Sequence, residues 1–193
     1  GLQPSKEPEI PGEGDYYTIP DKAFGEFLHY RLKDQGIVAE ENGTYKIDKT
    51  KAAAYTGELD LTKSKSAITE LTEAGLETAE TKLTDLSGIE YFTGITSLKL
   101  VSNQVTSLDI TKLVNLTYLD LNANWIGSLD LTKNTKLEYL RYGASSSKDA
   151  PENSKLIEID LTHNVELDTI SMTNHELENI DLSQNTKLRG VNF

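Results

Sequence analysis

An internal period of 21 residues constrains this chain more than any other feature of its sequence. The run opening at Ile95 places apolar side chains at Leu98, Leu100, Val105, Leu108 and Ile110, with Asn103 among them. One period later stand Leu116, Leu119, Leu121, Asn124, Ile126, Leu129 and Leu131. A third copy begins with Leu137, Leu140 and Tyr142, loses register, and resumes nine residues late at Leu156, Ile159 and Leu161. The next copy, Leu167, Ile170, Met172, Leu177, Ile180 and Leu182, returns to the original spacing. Leu188, Val191 and Phe193 open a further one. Such self-similarity marks a solenoid, in which each unit buries its apolar face only against its neighbours.

The pattern L-x-x-L-x-L-x-x-N-x-L has a direct physical meaning. Apolar residues at alternate positions, such as Leu119 and Leu121, make a short strand with one face inward. Repetition stacks these strands in parallel, ~4.8 Å apart, so that a curved sheet lines one side of the coil. Asn103 and Asn124 follow the strand, where a buried amide can satisfy backbone groups left unpaired by the turn. The second apolar pairs, Leu108/Ile110, Leu129/Leu131, Ile159/Leu161 and Ile180/Leu182, close the opposite wall. A unit this short leaves no room there for a full helix, so that wall is expected to be strand-like or irregular.

These residues resemble the leucine-rich repeat family. The order of a helix, an Asn-Gly loop, an Ala-rich helix, then LSGIEYFTGITSLKL and LDLTKNTKL is similar to secreted leucine-rich repeat proteins of the Bacteroidetes. It also has some likeness to the internalin type, and the resemblance covers roughly residues 20–193. It implies an α/β fold: a right-handed solenoid with a parallel concave sheet, a mostly strand and irregular convex side, and a small α-helical N-terminal cap. It further implies a binding surface rather than catalysis. Family members often carry an EF-hand-like acidic loop between the cap helices. Here Glu40-Glu41-Asn42-Gly43-Thr44-Tyr45 lacks the alternating Asp/Asn ligands, so neither a metal nor another cofactor is expected.

Three segments follow from this reading. Residues 1–20 hold Pro4, Pro8, Pro11 and Pro20 with Gly12 and Gly14, and read as an extended tether of the kind that follows a removed export signal. Residues 21–56 read as the helical cap, with Asp21 an N-cap ahead of Phe24, Phe27, Leu28 and Leu32, and Asp48 capping a second helix. Residues 57–193 are the solenoid. Its first strand is expected at Glu58-Leu59-Asp60-Leu61, followed by an insertion over 62–82; an alternative register puts that strand at Ile68 and Leu71. A second insertion, 143–155, is polar and expected to be mobile. Both insertions follow a concave strand and should emerge on one edge, either as tolerated loops or as the binding side.

Composition narrows the partners. Nineteen Lys and Arg stand against 31 Asp and Glu, a formal net charge of -12, which disfavours nucleic acid and anionic membrane surfaces. No apolar run approaches the ~18 residues of a membrane helix. The absence of Cys removes disulfides, thiolate metal sites and Cys nucleophiles together.

Candidate chemistry is sparse. His29, His163 and His175 lack converging partners, and His175 occupies the slot filled by Asn103 and Asn124, where an imidazole can stand in for the amide. Asp109, Asp130, Asp160 and Asp181 recur at one repeat position, either as a cation ladder or, more simply, as caps of their own turns. No catalytic arrangement stands out, and no enzyme is expected. The outward residues of the concave strands form two columns: Ser97, Tyr118, Tyr139, Thr169, and Lys99, Asp120, Arg141, Ser171. Tyrosines beside Arg and Asp are the residue types that anchor protein interfaces, although the same columns could be a solvated, internally paired sheet. Lys99, Tyr118, Asp120, Tyr139, Arg141 and the rim residue Trp125 are therefore the candidate ligand-binding set. The expected function is a non-catalytic protein-binding module of an exported or surface-anchored bacterial protein, with glycan binding as the alternative. At the other end, Val191-Asn192-Phe193 leaves a strand edge that is expected either to pair with a second copy or to be covered by Phe193.

Overall fold

The computed structural model describes residues 15–193. Most of the expected tether, residues 1–14, falls outside the described residues. Its last part is not a tether, because Tyr16–Thr18 forms strand β1. This strand pairs antiparallel with β3 (Thr44–Asp48), and β3 pairs with β2 (Val38–Glu41), giving the order β1-β3-β2. The cap is thus a small sheet packed with α1 (Lys22–Arg31) and α2 (Lys49–Ala54), where helices alone were expected. The physical reason lies in Asn42-Gly43. Both residues hold positive φ, 52° and 77°, and close a two-residue hairpin whose twist suits antiparallel strands. Asp21 accepts the Phe24 N–H at 2.8 Å and starts α1, while Asp48 accepts the Lys51 N–H at 3.0 Å and starts α2. Phe24, Phe27 and Leu28 are fully buried in one continuous core with Leu59 and Leu61 of the solenoid.

The solenoid sheet has six parallel strands in sequence order: β4 (Glu58–Asp60), β5 (Ser97–Lys99), β6 (Tyr118–Asp120), β7 (Tyr139–Arg141), β8 (Thr169–Ser171) and β9 (Gly190–Asn192). The middle residues of the first five, Leu59, Leu98, Leu119, Leu140 and Ile170, are at most 1% exposed, and alternation sends the flanking residues outward. No strand forms on the opposite wall among the described residues; turns and irregular chain close it. This is a leucine-rich repeat solenoid of the α/β class.

Side-chain hydrogen bonds replace regular structure between the strands. Asp109, Asp130 and Asp160 each accept the backbone N–H and the hydroxyl of the threonine two residues on, at 2.6–3.0 Å. They are turn caps, and each carboxyl lies below its ordinary range chiefly because the threonine hydroxyl donates to it. Asn103 and Asn124 bridge the turn after their strands, as read from the sequence. A second ladder, Asn134, Asn164 and Asn185, donates to carbonyls of the preceding unit along the convex side. It is visible in hindsight as the shared T-K-N, T-H-N and S-Q-N triplets.

The insertions are built rather than loose. Residues 62–82 contain α3 (Lys65–Glu73), which includes Ile68 and Leu71, so the alternative register for the first strand does not occur. Arg31 and Tyr30 of α1 both reach Glu70 of α3, at 2.8 and 2.9 Å. Beneath them Lys63 is fully buried, donates to the carbonyls of Thr78 and Ala79, and lies 5.1 Å from the Phe27 ring centroid. The segment 143–155, expected to be mobile, is tied down. Ser145 N–H donates to Asn124 O, Asn174 donates to Ala144 O, and Lys155 donates to Asn174. Gly127 permits this seat, since a Cβ there would stand 1.9 Å from Asn153 O. At the end of the sheet Val191 and Phe193 are each 50% exposed, so Phe193 does not cover the core.

Candidate functional site

The parallel register assembles the concave columns residue by residue. Ser97 lies beside Tyr118, Tyr118 beside Tyr139, and Tyr139 beside Thr169. In the next column Lys99, Asp120, Arg141 and Ser171 are neighbours in that order. The columns also extend to Glu58 and Asp60 on β4, which the repeat reading left out because the insertion separates β4 from its neighbour in sequence.

Contacts within the columns divide the candidates. Lys99 is already committed: its Nζ lies 3.4 Å from Glu58 Oε2 and 5.5 Å from the Tyr118 ring centroid. Burial works to lower the Lys99 pKa, but Glu58 outweighs it and the ammonium is held above its ordinary range. Ser97 Oγ donates to the same Glu58 carboxylate at 2.7 Å. Tyr118 and Tyr139 pack as a tilted pair, centroids 5.9 Å apart at 40°, each half-exposed. Asp120 is half-buried between Lys99 and Arg141, and accepts the Asn122 N–H at 3.1 Å. Burial raises its pKa, with Asn122, Arg141 and Lys99 opposing and Asp60 adding to the rise. Arg141 is exposed, and among the described residues its side chain makes no hydrogen bond or ion pair within contact distance; its guanidinium only faces Asp120 through space. The face therefore combines a fixed aromatic pair, a half-desolvated carboxylate and one uncommitted guanidinium.

Trp125 does not join the columns. It stands on the rim five residues past β6, half-buried, with its backbone N–H on Val105 O at 2.9 Å. Its neighbour Asn124 accepts from Ser145, so Trp125 shares its edge with the 143–155 insertion. That insertion and the residues Asn174 and Glu176 enclose a polar cleft of about 400 Å³. Asn122, next to Asp120, anchors the insertion by accepting the Gly143 N–H at 2.6 Å. Concave face and inserted edge are thus mechanically joined through β6.

The histidines gain no catalytic setting. His29 packs 5.6 Å from the Tyr45 ring, and His163 lies 3.8 Å from Asp160 in a convex turn. His175 fills the ladder slot, accepting from Leu156 N–H and contacting Tyr142 O. Among the described residues no group of three or more His, Asp or Glu could hold a metal ion, and no helix is long and apolar enough to cross a membrane.

No family model matches the chain, and no curated protein sequence does. Solved structures do, among them three from Listeria monocytogenes. The functional domain of InlJ, which includes a cysteine ladder, is 28% identical with a TM-score of 0.49, over 76% of this chain and 31% of that one. Internalin InlF is 18% identical with a TM-score of 0.53, over 90% of this chain and 56% of that one. Internalin C2 is 20% identical with a TM-score of 0.48, over 89% and 83%. The chain spans about a third of the InlJ domain and just over half of InlF. The InlF likeness is one of fold, and it agrees with the repeat sheet described above.

Proposed function

We propose that this chain is a non-catalytic protein-binding module that engages its partner with the concave sheet and the adjoining inserted edge. The observation that carries this reading is the Tyr118–Tyr139 pair, held rigid from one side by Lys99 and bordered on the other by the uncommitted Arg141. Rigid aromatics and a free guanidinium bind at low ordering cost, which is why such residues dominate interface energetics. Lys99, by contrast, acts as a prop for Tyr118, and Trp125 as a contact on the rim.

The test is site-specific photocrosslinking on cells of the source organism, with the photoreactive residue placed at Arg141 or at the convex Thr132. Crosslinks from the concave position alone support the reading. Substituting Tyr118, Tyr139 and Arg141 together should then weaken the captured partner at least ~30-fold. Unchanged affinity in that triple variant overturns the concave assignment. A glycan array that lights up while no protein crosslinks would replace the protein partner with a sugar. Export and surface anchoring belong to the same reading, and protease shaving of intact cells checks them.

A further inference from the structure

The ladder slot after the concave strand is filled by Asn103 and Asn124 in two units and by His175 in another. That exchange falls at the base of the 143–155 insertion. The neighbouring groups determine the ring's proton arrangement. Leu156 N–H can only donate, and it points at Nδ1 at 2.9 Å, so Nδ1 carries no proton. The Tyr142 carbonyl can only accept, and it lies 2.8 Å from Nε2, so Nε2 carries one. His175 is thus neutral, in a single tautomer, and both of its nitrogens are engaged. The Tyr142 ring meets the imidazole edge-on at 4.4 Å, and its hydroxyl clamps both the N–H and the C=O of Ile126 at 2.7 Å.

A second proton has no acceptor at this site. Placed on Nδ1, it would face the Leu156 N–H head-on and break the bond that closes the insertion. Of the charged groups nearby, Lys155 of the insertion, directed at Asn174, opposes a second proton; the carboxylates Glu176, next in the chain, and Glu152, in the wall of the adjoining cleft, would favour one but do not offset burial. Asn in the same slot would offer the same acceptor at every pH.

We propose that His175 is a pH-sensitive latch: protonation of its ring releases Leu156 and opens the base of the 143–155 insertion at the edge of the concave face. Burial outweighs the Tyr142 hydrogen bond, which favours the charged ring, and with Lys155 adding to it keeps the ring's pKa below the ordinary histidine value, so the latch stays shut at neutral pH and opens in acid. This inference does not depend on the nature of the partner.

Amide hydrogen exchange of the full chain, corrected for intrinsic rates and followed downward from about pH 8 until the ring signals of His175 show it protonated, tests it. Protection at Leu156 and across the insertion should fall at least ~10-fold as His175 titrates, while β6 amides hold. His175→Asn should abolish that pH dependence. Ring ¹⁵N shifts of the unmodified protein give a second reading, independent of any variant, and should show the Nε2–H tautomer at neutral pH. Protection that ignores the titration, an equal fall in His175→Asn, or an Nδ1–H tautomer would each overturn the latch.

Discussion

Two asparagines that look equivalent in the repeat should differ sharply when truncated. Asn124 and Asn164 are both fully buried; through Nδ2 Asn164 donates to two carbonyls, and Asn124 to two at 3.0 Å or less and to a third, Asn122 O, at 3.5 Å. Asn124 also accepts the Val105 N–H at 3.1 Å. In Asn124→Ala that donor is stranded in the core, as is the Leu121 carbonyl, whereas Leu100 O keeps its bond from Asn103. One stranded N–H costs about 1–3 kcal/mol, and with the lost bonds and cavity the total is about 3–4 kcal/mol. In Asn164→Ala nothing is stranded: Leu131 O still accepts Asn134 N–H and Asn134 O still accepts Leu137 N–H. The Asn164 Oδ1 is itself buried with no partner among the described residues, so removing it gives some relief. The loss there should be about 1 kcal/mol. The difference of 2–3 kcal/mol corresponds to roughly 4–12 °C in Tm for a chain of this size. Urea titration with unchanged m-values, backed by thermal circular dichroism, measures it. Equal losses at the two sites would refute the view that stranded donors, rather than bond counts, set the energetics of this ladder.

Other outcomes follow from single contacts. Tyr142→Phe removes the hydroxyl that satisfies Ile126 on both sides and should cost about 2 kcal/mol, read by the same titration. Gly127→Ala drives a methyl into Asn153 O, so limited proteolysis should cut within 143–155 faster than in the parent, with the fragments mapped by mass spectrometry. Burial lowers the Lys63 pKa to about 8, against 10.5 for the free side chain. Between those values the unfolded chain binds more protons, so stability should rise with pH across that window; below pH 8 the cost of the buried charge is fully present. Lys63→Met should remove this part of the rise and keep the part due to Lys82, whose pKa burial also lowers.

The 21-residue register was enough to place the concave strands, because inward leucines at alternate positions admit one pairing that buries them all. It also named both outward columns and the Asp turn caps, since these repeat with the backbone that positions them. The hairpin in the cap was hidden for the opposite reason: it occurs once, and its two helices carry the stronger periodic signal. Asn42-Gly43 was the available clue, and it marked a hairpin rather than a loop. The convex Asn ladder escaped notice because those residues lie in polar stretches, where burial cannot be inferred from composition.

The sequence by itself determined the repeat, the sheet it builds and the residues that line its face. Tertiary structure alone decided which of those residues remain available to a partner. Lys99 and Arg141 are interchangeable as cations in the pattern, yet Glu58 and Tyr118 occupy the first, while among the described residues no hydrogen bond or close ion pair holds the guanidinium of the second. The neighbour that makes the difference, Glu58, lies 39 residues from Ser97 across an insertion. The same holds for His175, whose partners Leu156 and Tyr142 are 19 and 33 residues away. Periodicity specifies which way a side chain points; the groups that meet it there arrive from other turns of the coil, and only folding brings them together.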